Sequence, residues 1–91
     1  MGEDGTGIEF DPAKEAANVA KHGVSLSLLG AVLAGEVITF PDERRDYGEA
    51  RFVTFGLVKG RLYVAVWTPR SEGIRAISVR KANRREEDRY G

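Results

Sequence analysis

The chain reads as one α+β domain: an antiparallel sheet packed on an N-terminal helical pair, with a C-terminal helix closing the fold. Three observations predict this class. Residues 12–34 carry helix caps and helical apolar spacing. Residues 51–81 fall into three consecutive alternating runs separated by short turns. The length, 91 residues with 42% hydrophobic, leaves room for a single modest core.

Residues 1–7 hold three glycines and no apolar period, so a flexible lead-in is expected there and the folded domain over 8–91. Ile8-Glu-Phe10 alternates as a short strand. Asp11-Pro12 supplies an N-cap followed by proline at the first helical position, and Gly23 fits the left-handed position that ends a helix over 12–22. Ala13, Ala16, Ala17 and Ala20 share one side of that helix, with Val19 at its margin. A second helix is expected from Ser25 or Ser27 to Leu33 or Ala34. Its buried stripe is Leu26, Leu29, Val32 and Leu33, and Gly35 closes it. The short connection predicts an antiparallel or V-shaped pair.

From Glu36 the period changes. Val37 to Phe40 reads as a strand and Pro41 to Gly48 as a charged loop. Arg51–Val58, Arg61–Thr68 and Ile74–Lys81 follow as three strands, with Lys59-Gly60 as a two-residue turn and Pro69–Gly73 as a longer one. Asn83 can cap a closing helix through Tyr90.

Composition excludes several chemistries. There is no cysteine, hence no disulfide, thiol nucleophile or thiolate metal site, and the single histidine, His22, excludes multi-histidine clusters. Asp42, Glu43 and Asp46 are interleaved with Arg44 and Arg45, which reads as a solvated loop and not a magnesium site. Neither a metal nor a cofactor is expected. Ser25, Ser27, Ser71 and Ser78 lack a nucleophile elbow, and Gly56–Gly60 encloses a hairpin and not a phosphate loop. The longest mostly apolar stretch, Leu26–Gly35, is far below the roughly 20 residues that span a bilayer. The acidic, glycine-rich start resembles neither a signal nor a transit peptide, so a cytoplasmic protein is expected.

The formal net charge is zero, but its distribution is not even. Residues 1–50 hold four basic and ten acidic groups and residues 51–91 ten basic and four acidic, a split of −6 and +6. Eight of those ten cations are arginines, the side chain suited to bidentate contact with phosphate. Strict alternation places Val53, Phe55, Leu57, Leu62, Val64, Val66, Ile77 and Val79 on one face, expected to meet the helices. The opposite, open face would then carry Thr54, Arg61, Tyr63, Trp67, Ser78 and Arg80. Rings beside guanidinium groups suit an unpaired RNA strand, whose bases stack and whose phosphates need cations. Trp67 and Tyr63 packed under a helix or loop is the structural alternative.

Five stretches, in order, carry a resemblance: Phe10–Lys14, Asn18–Val24, Glu49–Gly56, Gly60–Thr68 and Ile74–Glu86, followed by Tyr90. Together they resemble the BrnT family, toxins of bacterial type II toxin–antitoxin pairs, over essentially the whole domain. The resemblance implies a fold similar to that of RelE, RNA cleavage that blocks translation, and a cognate BrnA-like antitoxin with a ribbon-helix-helix segment. DNA would be reached only through that antitoxin, since the helices of this chain lack a basic recognition face.

RNA cleavage without a metal needs activation of a ribose 2′-OH, charge stabilisation at phosphorus and a proton for the leaving 5′-oxygen. Arg80, followed by Lys81, Arg84 and Arg85, is the first candidate for the charge, with an ion pair to Glu86 or Glu87 as its structural alternative. His22 with Lys21 is a candidate acid/base or phosphate contact at a helix C-terminus, where the dipole favours the protonated imidazole. Glu86 is a further candidate base. Arg51, Arg61, Arg70, Lys81, Arg84 and Arg85, with Tyr63 and Trp67, are expected to hold RNA. The general base stays open among His22, Glu86, Lys21 and Lys81. A non-catalytic interaction module that keeps the fold is the rival reading.

Overall fold

The computed structural model describes residues 2–3, 7–44, 46 and 48–91. The chain runs β1 (Gly2–Glu3), β2 (Ile8–Phe10), α1 (Pro12–His22), a 3₁₀ turn (Leu26–Leu28), α2 (Leu29–Ala34), β3 (Val37–Pro41), β4 (Phe52–Val58), β5 (Arg61–Arg70), β6 (Gly73–Lys81) and α3 (Arg84–Tyr90). Of the lead-in, Gly2–Glu3 pairs with Phe10 and Glu9 as an outer strand. Residues 1 and 4–6, and Arg45 and Tyr47 of the charged loop, lie outside the described residues.

The local signals act as their chemistry requires. The Asp11 carboxylate accepts the Ala13 N–H at 2.8 Å, and Gly23, at φ 70°, closes α1 by donating to the Val19 carbonyl. A side chain at that left-handed position would strain the turn that fixes His22 at the helix end. Asn83 and Glu86 form a reciprocal capping box at the start of α3.

The sheet has six strands in the order β1-β2-β6-β5-β4-β3. β3 through β6 form an antiparallel meander. The purely antiparallel sheet expected from the sequence needs correction, because β2 runs parallel to β6, pairing Ile8 with Ile74 and Glu9 with Arg75. α1 and the turn that follows it carry the chain across from β2 to the far edge, so the two neighbours enter from the same end.

The face assignment also changes. Between β5 and β6 the register slips at Val66/Trp67, so that Val66 pairs with Ser78 and Trp67 with Ala76 while Ile77 is the extra residue. The bulge puts Ala76 and Val79, three apart, on one face. That face meets the helices: Leu26, Leu29, Val32, Ala65, Ala76 and Val79 form the main core with Ile8 and Val24. Tyr63 and Trp67 pack against the same core, on the helix side and not on the open face. Trp67 stacks on Phe52 at 5.0 Å and its indole N–H donates to Thr54 at 2.9 Å. The helices rest on small residues because close approach demands it; a Cβ on Gly56 would meet the Val32 carbonyl at 2.8 Å. The larger residues Leu62, Val64, Val53 and Phe55 lie on the opposite face, covered at one end by α3, whose Tyr90 stacks on Phe55 at 4.2 Å.

α1 does not bury its alanines. Ala13, Ala16, Ala17 and Ala20 are exposed and Val19 is 45% exposed, whereas Asn18 is buried. The reason is that α1 packs beside the edge of β6 and not over a sheet face. β2 covers β6 only at Ile74 and Arg75, and Asn18 takes the next part of the edge. Its amide donates to the carbonyls of Val79 and Val24, both at 2.8 Å, and accepts the Val79 N–H at 3.3 Å. One side chain thus replaces a missing strand. Asn18→Ala should therefore lower unfolding free energy by about 2–4 kcal/mol, since it strands buried backbone groups. Asn18→Asp, which keeps the acceptor and loses both donors, should also be destabilising. Urea unfolding measures both, and a fully stable alanine variant would remove Asn18 from this role.

Candidate functional site

Because the end of β6 is not covered by a strand, side chains from several segments converge on it. α1 delivers Lys21 and His22 in its last turn. Arg80 follows Val79, whose backbone Asn18 holds. α3 delivers Glu86 from its capping box. Arg44, largely exposed in the segment after β3, forks onto the buried Asp42 carboxylate at 2.8 Å through both Nε and Nη2. Asp42 is therefore a buried anchor, not part of a wholly solvated loop. Among the described residues no three His, Asp or Glu side chains gather in an arrangement that could hold a metal ion.

The Arg80–Glu86 contact is bidentate, with both guanidinium nitrogens donating at 2.7 Å. Glu86 Oε1 also accepts the Asn83 N–H at 2.9 Å, so the same carboxylate caps α3 and orients Arg80. Arg80 donates further to the Lys81 carbonyl at 3.3 Å. These hydrogen bonds, together with the charge of Arg80, hold Glu86 below its ordinary carboxylate value, and the bond from Glu86 raises Arg80. The Arg44 charge opposes that of Arg80, which places the two guanidinium groups in one field.

His22 departs from expectation. Its pKa is lowered, first by burial and then by the positive charges of Lys21 and Arg80, so the neutral imidazole is favoured over the protonated form that the helix dipole alone would select. The same influence brings Lys21, His22 and Arg80 into one electrostatic group. Lys21 and His22 stand beside Ile77 and Ser78 of β6, two residues before Arg80, which is bound to Glu86.

The RNA-holding candidates do not form one surface. Arg51 pairs with Glu49 at 3.1 Å, and Arg70 lies 3.6 Å from both Glu9 and Glu49. Arg75 also meets Glu9, at 3.0 Å. This network sits at the start of β6, roughly 15 Å along the strand from Arg80 at about 3.3 Å per residue. Arg61 is 3.9 Å from Glu87. Arg84 and Arg85 are exposed on α3. Tyr63 and Lys81, paired across strands, line an open groove on the helix side with Gly23, Val24, Ser25 and Ser27. Trp67 is held by Phe52 and Thr54.

Sequence reasoning missed Arg44 and Asn18. The short Asp42-x-Arg44 spacing was visible, but only the fold shows Asp42 buried. Asn18 lies within one of the recognisable stretches, yet nothing local announces that a helical asparagine faces a strand edge.

Residues 10–86 match the family described as ribonuclease toxin, BrnT, of type II toxin–antitoxin system. No curated protein matches the chain.

Both depressed groups give the same sign of pH dependence. A lowered folded pKa contributes stability that is complete above the ordinary value and is lost as pH falls through the folded one. Stability should therefore decline first below pH 6.5 through His22 and again below pH 4.5 through Glu86. Urea midpoints across pH 3–8 are expected to show His22→Gln flattening the upper step and Glu86→Gln the lower. Parallel profiles for all three proteins would contradict both assignments.

Proposed function

The chain belongs to the BrnT family of type II toxin–antitoxin ribonuclease toxins, and from that premise we propose that it is a metal-independent endoribonuclease whose working groups are Arg80, His22 and Lys21, with Glu86 as their brace. The observation that carries this reading is that Lys21 and His22 stand at the edge of β6 beside Ile77 and Ser78, two residues before the Arg80–Glu86 fork. Neutral His22 takes the proton of a ribose 2′-OH as that oxygen attacks the adjacent phosphorus. The phosphorane charge falls on Arg80, whose fork is already oriented by Glu86. Lys21 gives an ammonium proton to the 5′-oxygen as its bond to phosphorus breaks, so that a 2′,3′-cyclic phosphate and a 5′-hydroxyl result. Substrate phosphate competes with Glu86 for Arg80, exchanging one bidentate anion for another.

The biological part of the reading is RNA cleavage that stops translation in the cytoplasm. Neutralisation comes from a BrnA-like ribbon-helix-helix antitoxin that covers the Arg80 face and supplies the complex's contact with DNA. We take the architecture to be related to that of RelE. Among the described residues no single helix is long and apolar enough to cross a membrane.

A second reading is favoured by one specific observation. The ion pairs of Arg80, Arg70, Arg51 and Arg75 leave these four arginines charge-compensated, as suits a non-catalytic interaction module. Incubation of the purified chain with total RNA in EDTA separates the two. Cleavage should persist in EDTA, fall on the order of 100- to 1,000-fold in Arg80→Ala, and lose its acid limb below pH 6.5 in His22→Gln. An inert chain that still captures an antitoxin would establish the interaction module.

A further inference from the structure

Most sheet arginines are held by carboxylates, whereas Arg84 and Arg85 of α3 and Lys14 and Lys21 of α1 have none within ion-pair distance among the described residues. Arg51 is paired to Glu49, Arg70 and Arg75 to Glu9, and Arg80 to Glu86. Lys14 and Lys21 of α1 are exposed and have no acidic partner within ion-pair distance among the described residues. Seven residues apart, they lie on one helix face about 10 Å apart along the axis. Between them Ala17 leaves space, and the result is a groove of about 220 Å³ between α1 and β6. Lys14, Ala17, Lys21 and His22 form its helix wall, Ile77 and Ser78 its sheet wall, and Asn18 also lines it. It exists because β2 stops short and the bulge at Ile77 turns the edge of β6 away from a regular ladder. Its far end is formed by Lys21 and His22, and its sheet wall ends at Ser78, two residues before Arg80.

We propose that this groove holds the phosphodiester backbone of single-stranded RNA next to the cleaved bond, with Lys14 and Lys21 facing phosphates and the Ser78 hydroxyl hydrogen-bonding a backbone oxygen. The inference rests on the toxin reading above and names a path for its substrate. Uncompensated ammonium groups release counterions on meeting phosphate, and that release drives most of the sequence-independent affinity for nucleic acid. A serine hydroxyl is a usual partner of the sugar–phosphate chain. Continuity decides between RNA and an acidic protein segment: His22, which the reading assigns to the ribose 2′-OH, itself lines the groove. Lys14 and Ser78 are positioning residues, acting on the strand and not on the bond that breaks.

The test uses a 12-nucleotide 2′-deoxy oligomer, which binds without being cleaved, followed by fluorescence anisotropy across a salt series. Lys14→Ala should weaken binding five- to tenfold and make the slope of log affinity against log salt shallower by about 0.7, the value for one lost single-strand phosphate contact. Lys14→Glu should weaken it further, and Ser78→Ala modestly. The control is Lys59→Gly in the β4–β5 turn, which removes the same charge at a position of φ 51° that glycine accepts. It should change neither quantity. Should Lys14→Ala match Lys59→Gly while Arg80→Ala abolishes cleavage of ribo-oligomer, the groove assignment fails and the toxin reading stands. Should the parent chain neither bind nor cleave RNA, the toxin reading itself fails. A Lys14 effect confined to polyglutamate of equal charge would give the groove to an acidic protein segment and overturn the proposal.

Discussion

The architecture depends on how the edge of β6 is finished. A strand edge presents unpaired backbone groups that must find partners, and β2 meets that need at only two residues. Asn18 completes it with a primary amide, whose donor and acceptor mimic a peptide group of a neighbouring strand. The same amide reaches the Val24 carbonyl and so ties the turn after α1 to the sheet. Once α1 is held there, the positions of His22 and Lys21 follow from helical geometry. Arg80 is one residue beyond the tethered Val79. The candidate site is thus a consequence of a sheet that is one strand short at one end.

Charge compensation then decides what each cation can do. Net neutrality was compatible with a positive face only if acidic groups lay elsewhere, yet Glu9, Glu49 and Glu86 sit among the arginines. A half-exposed pair contributes little stability, about 0–1 kcal/mol, but it orders a long side chain and lowers the field that solvent and substrate meet. For Arg80 this ordering is the useful part, because a preoriented fork needs less reorganisation on meeting phosphate. For Arg51, Arg70 and Arg75 the same pairing reads as a brace between β2, the segment before β4, and the adjoining ends of β5 and β6. Uncompensated charge is left to Lys14 and Lys21 of α1, on a half of the chain that is acidic in sum, and to Arg84 and Arg85 of α3.

Membership of the BrnT family and the geometry at β6 bear on different questions. The family match covers residues 10–86 and identifies the class of toxin. The groups that would act are a matter of placement. Burial and the charges of Lys21 and Arg80 lower the pKa of His22, and Glu86 is committed to Arg80 and to the cap of α3. Those two facts favour the imidazole over the carboxylate as base, a choice that residue types alone left open.

Helix ends, hairpin turns and the capping box of α3 were legible in the sequence because each is specified by residues within a few positions of one another: Asp11 and Gly23 for α1, Lys59-Gly60 for the β4–β5 turn, Asn83 and Glu86 for α3. The leucine and valine stripe of α2 was legible for the same reason. Which sheet face met the helices was decided only by the tertiary structure. Both faces carry apolar residues, and the helices chose the smaller ones, since Gly56, Ala65 and Ala76 permit close approach whereas Leu62 and Phe55 need the cover of α3. The bulge at Ile77 broke the two-residue period from which faces are counted, and α1 buried its polar side because it seals an edge and not a face. Pairing across long sequence separations, Asn18 with Val79 and Glu9 with Arg75, depends on where the whole chain places two backbones, and no local period encodes that.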